Sequence, residues 1–465
     1  MKLTSLLRPL TFVAIAMAFA ATACEDELPP RPSPPDAMTP LPTGSGSPDA
    51  GTQDAAASDL PVGDARDTSG DIADAGDAND VAAEASPGDA EGREPLYVVA
   101  GTVFGTPPVS YVVTTRSLAA GTKVAYEGGL PLFGGAVIFG TERAGHFFVG
   151  SGETPVLTRW EVSPDGDFRK GASMSLAAHG FSNTLTNEGG AVFLSPTKAY
   201  FIHQEDLKAI VWNPTTMEIT GTLSLPAELK RDGFLLVLDG KARRRGNDLY
   251  LVASWADHTN GKYPAGSLLV TIDVTTNAVV AKEVDPRCGQ LFDSVVLGNG
   301  DIYYGSTSWV AATNRVLGDG FGGEPCILRL ANGQRRFDPA FQIRLRPLFG
   351  SAAGALVAGG GTNVFVRALD ETLVKIAADS TPGDVAGAEA WRWWRLDLAT
   401  MATTKIDSLA PSAAGGTEFT VDGRVFTSVS KKDFSETTLV EMTTAGGPQP
   451  GMVLRGYAER AIRVH

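Results

Sequence analysis

One phrase recurs along most of this chain and limits what it can fold into: a turn residue, a spacer, then a short aromatic run of strand formers. It reads Gly145-His-Phe-Phe-Val149, Thr197-Lys-Ala-Tyr-Phe-Ile202 and Asn247-Asp-Leu-Tyr-Leu-Val252. It continues as Gly300-Asp-Ile-Tyr-Tyr304, Thr362-Asn-Val-Phe-Val366 and Gly423-Arg-Val-Phe-Thr427. A looser copy, Leu96-Tyr-Val-Val-Ala100 followed by Ser110-Tyr-Val-Val-Thr114, comes first. Each is followed by a second phrase, an alternating strand that turns at Asp, Asn, Gly or Thr and in most copies resumes, as in Val211–Gly221, Val270–Val280 and Trp394–Thr404. Asp165-Gly166 and Asn332-Gly333 are strong two-residue hairpin signals in the same series.

Successive copies start about 50 to 62 residues apart, enough for a four-stranded antiparallel sheet with its loops. A unit of that size cannot bury both faces alone, and a ring of such units hides most strand edges. The chain therefore reads as all-β: a β-propeller over 94–465, with seven four-stranded blades expected and six or eight still open. A pair of β-sandwiches is the competing architecture. Closure is expected from a terminal strand, either Leu96–Ala100 or Tyr457–Val464. Helices look scarce; Pro226–Arg231 and 378–390 read as loops between strands.

The preceding residues have a different texture. Lys2 and Arg8 precede a short apolar run from Leu10 to Ala20, below the length of about 20 residues that spans a bilayer. Residues 1–23 are read as a signal peptide. Ala21-Thr22-Ala23-Cys24 resembles a bacterial lipobox, with Ala21 where Leu is commoner, and the resemblance implies cleavage before Cys24 and its acylation. An ordinary signal peptide cut near Ala23 is the alternative. Residues 24–93 are read as a disordered tether, because no aromatic residue occurs from Glu25 to Pro95. Over 25–93 the chain carries 16 Asp or Glu against three Arg, so most of the overall charge of −14 sits there. The remainder is close to neutral, which gives no basic footprint for nucleic acid.

Three cysteines exclude a disulfide-built scaffold. In an exported chain Cys288 and Cys326 are expected to pair. Neither H-E-x-x-H nor G-x-S-x-G occurs, and the five histidines are dispersed. No catalytic residue and no metal ligand is assigned, although a ring can gather scattered groups, so an axial set from His203, His258 and carboxylates stays open.

Cationic and aromatic residues gather at strand ends and in long loops, among them Arg243 to Arg245, Arg315, Trp391 to Arg395 and Lys431-Lys432. Arg or Lys beside Trp suits an anionic aromatic ligand. The candidate contacts are Arg243, Arg245, Trp255 and His258, with Trp309, Trp391 and Lys431. Packing between blades is the competing explanation for the tryptophans, Trp212 and Trp394 included.

The lipobox, the low-complexity stalk and phrases such as LTRWEVSPDGDF, KAYFIHQEDLKAIVWNPTTMEITG and RWWRLDLAT resemble the MxcI-type lipoproteins of myxochelin siderophore loci. They are also similar to propeller lipoproteins encoded beside TonB-dependent receptors. The resemblance implies an outer-membrane lipoprotein, on its periplasmic or surface side, that captures a ferric siderophore and passes it to such a receptor. Iron would enter only as the chelate, with no resident cofactor. An interaction propeller without a small ligand, and an axial-pocket enzyme of lactonase, lyase or quinoprotein type, are the other readings.

Overall fold

The structure is a computed structural model that describes residues 94–465 apart from 106, 133–134, 187–188, 258–260, 319–322 and 443–446. The signal peptide, Cys24 and the tether lie outside the described residues, as does His258.

Among the described residues the strands form seven sheets, each built on four antiparallel strands, arranged as a β-propeller. Blade 2 runs Val137–Phe139, His146–Gly150, Val156–Val162, Phe168–Ser175, and blade 3 Ala191–Ser195, Lys198–His203, Lys208–Asn213, Glu218–Leu223. Blade 4 starts with Leu235–Leu238 and Arg243–Arg245, which pair successively with Asp248–Ala256, and ends with Ala265–Asp273 and Ala278–Gly289. Blade 5 is Leu291–Val296, Ile302–Ser306, Cys326–Leu330, Gln342–Arg344; blade 6 is Ala353–Ala358, Asn363–Leu369, Trp391–Asp397, Thr403–Lys405. Blade 7 is Glu418–Val421, Arg424–Ser430, Glu436–Glu441, Gln449–Arg455.

Blade 1 closes the ring with strands from both ends of the described residues. Tyr457–Arg463 is its first strand and pairs with Tyr97–Val103, which is followed by Val109–Thr115 and Leu130–Leu132. Leu96 N–H donates to His465 O at 3.0 Å and Leu96 O accepts from Val464 N–H at 2.8 Å, extending the seam. The two alternatives for closure are thus partners in one sheet. A short parallel strand, Lys123–Val124, adds to the outer edge of blade 7 and ties it to blade 1.

Each aromatic phrase of the sequence is the second strand of a blade, Leu96–Ala100 included, while Ser110–Thr114 is the third strand of blade 1; the composition follows from what each strand touches. Side chains alternate across a strand, so successive residues face opposite neighbours. In blade 3, Tyr200 and Ile202 join the core shared with blade 4, whereas Ala199 and Phe201 join that shared with blade 2. In blade 1, Val98 packs toward blade 2 and Val99 toward blade 7. Such strands are apolar on both faces and read as unbroken hydrophobic runs. Outermost strands touch solvent on one side and alternate instead, as in Glu218–Leu223. The cores include Phe148 set edge-on to Trp212 at 5.1 Å.

Cys288, on the last strand of blade 4, is disulfide-bonded to Cys326 on the third strand of blade 5, with Cα atoms 5.3 Å apart. A crosslink of that span contributes about 3–4 kcal/mol in the chain-entropy picture.

The connections divide by face. Links from first to second and from third to fourth strands emerge on one face and are mostly tight turns, with Asn213, Asp273 and Asp397 accepting from backbone N–H groups two and three residues on. Links from second to third strands, and from one blade to the next, emerge on the opposite face. There the chain inserts α1 (Ser308–Leu317), α2 (Leu345–Phe349) and α3 (Pro382–Ala386). The 378–390 stretch thus contains a short helix, capped by a Thr381–Asp384 capping box. At 226–231 there is only a single 3-10 turn, Ala227–Leu229. Helix α1 is a departure from the sequence reading: Thr307 caps it by accepting from Val310 N–H, and Ala311 and Ala312 pack on α3.

Candidate functional site

A cavity of about 670 Å³ opens between blades 5 and 6 on the face that carries the helices. Its origin is local. The outer strand of blade 5, Gln342–Arg344, is only three residues long before the chain turns into α2, which ends at Gly350 in the left-handed conformation (φ 70°). Blade 6 therefore keeps part of its face uncovered. Arg346 and Phe349 come from α2, Arg315 from the end of α1, and Arg392, Trp394 and Lys405 from the third and fourth strands of blade 6. Asp370 and Glu371 enter from the loop leading to α3.

The lining is cationic and aromatic. Arg315 is held bidentately by Glu371 at 2.7 and 2.8 Å, and Arg392 by Asp370 at 2.8 Å. The Arg315 hydrogen bonds hold the Glu371 carboxyl below its ordinary range, with Arg346 adding to the effect. The Asp370 carboxyl is lowered by the Thr372 hydroxyl and then by Arg392. Both carboxylates stay ionised near neutrality, so four cations face two anions. Lys405 also pairs with Asp407 at 3.2 Å, and Arg346 is exposed. Phe349 stands edge-on to Trp394 with ring centroids 5.8 Å apart. An anion with a flat aromatic ligand sphere meets charge and π surface together here.

The candidate contacts named from sequence lie elsewhere. Arg243 is buried and bonded to Ser294, with Nε to Oγ at 2.8 Å. Arg245 lies 4.5 Å over the Tyr250 ring and donates to the carbonyls of Gly300, Ala331 and Gln334. The indole N–H groups of Trp255 and Trp391 donate to Leu229 O and Val385 O at 3.0 and 2.9 Å. Trp309 donates to the Tyr263 hydroxyl at 2.6 Å, and Lys431 pairs with Glu436 at 3.1 Å in a blade 7 hairpin. Trp309 and Trp391 share one apolar cluster, and none of the six described residues lines the cavity. From the wider cationic and aromatic set, Arg315, Arg392 and Trp394 do line it. Arg346 and Phe349 were legible only as a cation and an aromatic ring around Pro347, a pattern too common to single out.

His203 is buried, with Nε2 2.8 Å from Asn183 Oδ1 and Nδ1 2.9 Å from Asp206; burial pushes its pKa down. Among the described residues no group of three or more His, Cys, Asp or Glu is placed to hold a metal ion. None of their helices is long and apolar enough to cross a membrane.

No protein-family model matches the chain, and no curated protein matches it. Solved propellers do. A hypothetical selenium-binding protein from Sulfolobus tokodaii is 9% identical, with TM-score 0.47 over 80% of this chain and 93% of its own. The periplasmic gluconolactonase of Pseudomonas aeruginosa is 12% identical, with TM-score 0.39 over 80% and 99%. AztD from Citrobacter koseri is 13% identical, with TM-score 0.37 over 79% and 97%. These likenesses extend no activity, ligand or partner to this chain.

Proposed function

We propose that the chain is a non-catalytic binding propeller that captures an anionic, aromatic iron chelate, a ferric siderophore, in the cavity between blades 5 and 6. In this reading Cys24 anchors it to the outer membrane and a TonB-dependent receptor takes the chelate on. The observation that carries the ligand class is the lining itself: Arg315, Arg346, Arg392 and Lys405 around the Phe349–Trp394 pair. A tris-catecholate ferric complex presents negative oxygens and aromatic edges to match. Each charge-assisted contact contributes about 1.5–3 kcal/mol, or roughly tenfold or more in affinity.

The test is a fluorescence titration of the protein with ferric tris-catecholate. Wild type is expected to be quenched through Trp394, and R346E to bind about tenfold or more weakly. A quench unchanged in R346E moves the ligand away from this cavity, and no quench in wild type overturns the siderophore reading. A protein-docking propeller has one observation in its favour: Val280 and Val284 are 41% and 60% exposed on the outermost strand of blade 4. Receptor capture without any quench would select it.

A further inference from the structure

We propose that Lys241 is a strap across the propeller axis that fixes the spacing of the four blades around the cavity and so positions its cations. Lys241 lies in the inner strand segment of blade 4, between Leu235–Leu238 and Arg243–Arg245. Its ammonium donates to Thr420 Oγ1 at 3.1 Å and lies 3.9 Å from Glu418 Oε1, both on the first strand of blade 7. Blades 4 and 7 are three apart, the widest separation in a ring of seven, so this contact runs across the axis. The side chain is only 9% exposed, and Glu418 is 16% exposed.

Between the tied blades stand 5 and 6, the two that form the cavity. The first strand of blade 5 packs on the first strand of blade 6 and on the second strand of blade 4, and Gly240 N–H donates to Phe292 O at 2.8 Å, so the distance from blade 4 to blade 7 bears on how far 5 and 6 splay. Asp293, on the first strand of blade 5, adds to the cross-axis cluster. Its carboxylate accepts from Leu356 N–H of blade 6 at 3.0 Å and feels the charges of Lys241 and Arg367. A flexible ring wall would leave Arg346 and Arg392 at variable separation; a strapped one holds them in register. Lys241 contacts no ligand in this account and acts as a positioning residue. Its effect on affinity rests on the binding reading above, while the strap itself does not.

The experiment combines amide hydrogen exchange and ferric tris-catecholate titration on the full chain carrying K241M, K241R or T420V. Removing the strap by K241M or T420V is expected to speed exchange about tenfold in 235–242 and 418–421, leaving 137–139 of blade 2 unchanged. The same variants are expected to bind about threefold to tenfold more weakly, with K241R restoring both properties. Wild-type exchange in 418–421 of both K241M and T420V overturns the strap, as does an equal rise in every blade. Faster local exchange with unaltered affinity overturns the positioning role. If wild type itself binds no chelate, the ligand reading fails and the exchange data still decide the strap.

Discussion

Replacing Arg367 by methionine is expected to remove about 3–5 kcal/mol from the stability of the ring, a larger loss than any surface change here. Arg367 is 2% exposed on the second strand of blade 6 and reaches into blade 7. It donates to the carbonyls of Ala413, Ala414 and Gly415 at 3.0, 2.8 and 2.6 Å, and to Ser428 O at 3.2 Å. Its guanidinium stacks 4.4 Å from the Trp393 ring. Burial pushes its pKa down to about 10, so it remains a cation at neutrality. Methionine fills much of the volume but leaves those carbonyls without their donor, each a desolvated acceptor. Lysine keeps the charge but not the planar fork, and is expected to fall between the two. Urea unfolding midpoints decide the matter: R367M within about 0.5 kcal/mol of wild type would show that the carbonyls find other donors.

The second large effect concerns pH. Burial pushes the Asp293 carboxyl up to about 7, against the Leu356 N–H, Arg367 and Lys241. Burial likewise pushes Glu459 up to about 7, against the hydroxyls of Thr102 and Ser110. In the unfolded chain both titrate near 4. Between about pH 4 and 7 the folded state therefore binds more protons than the unfolded one, and stability falls as pH rises through that window. The loss is complete above about 7. Each group accounts for about 2–4 kcal/mol, the upper figure being about three pKa units at about 1.4 kcal/mol each. Carboxylates held low by cations, such as Asp338 beside Arg329, act in the opposite sense as pH falls below about 4. Unfolding of wild type, D293N and E459Q between pH 4.5 and 8 tests this. Each amide variant is expected to show a flatter curve; a D293N curve parallel to wild type would contradict the assignment.

The parts of this fold visible in the sequence are those whose residues are constrained by two neighbours at once. Second strands such as Lys198–His203 and Asp248–Ala256 are squeezed between blades and spell out runs of Tyr, Phe, Leu and Val. The hairpins at Asn213 and Asp397 carry polar side chains that bond their own turns. First strands were not legible, because several are short or irregular: Val137–Phe139 has three residues, and the blade 6 strand bulges near Ala355, which has φ 67°. These are the strands around the axis, so Lys241, Asp293 and Glu418 had no periodic signal.

The cavity was hidden for a related reason. It arises where a blade stops early, at Arg344, and a truncated strand leaves no repeated phrase behind. Trp391 and Trp394 belong to one strand of identical texture, yet the first is buried and bonded to Val385, while the second lines the cavity. Strand alternation separates a core tryptophan from one at a site only when the neighbouring blade's length is known.

The most direct measurement is the position of iron in crystals soaked with ferric tris-catecholate, read from anomalous scattering at the iron edge. One iron peak is expected between Arg346, Arg392 and Trp394. A peak on the propeller axis, or on the face opposite the helices, would contradict it, as would crystals that take up no iron.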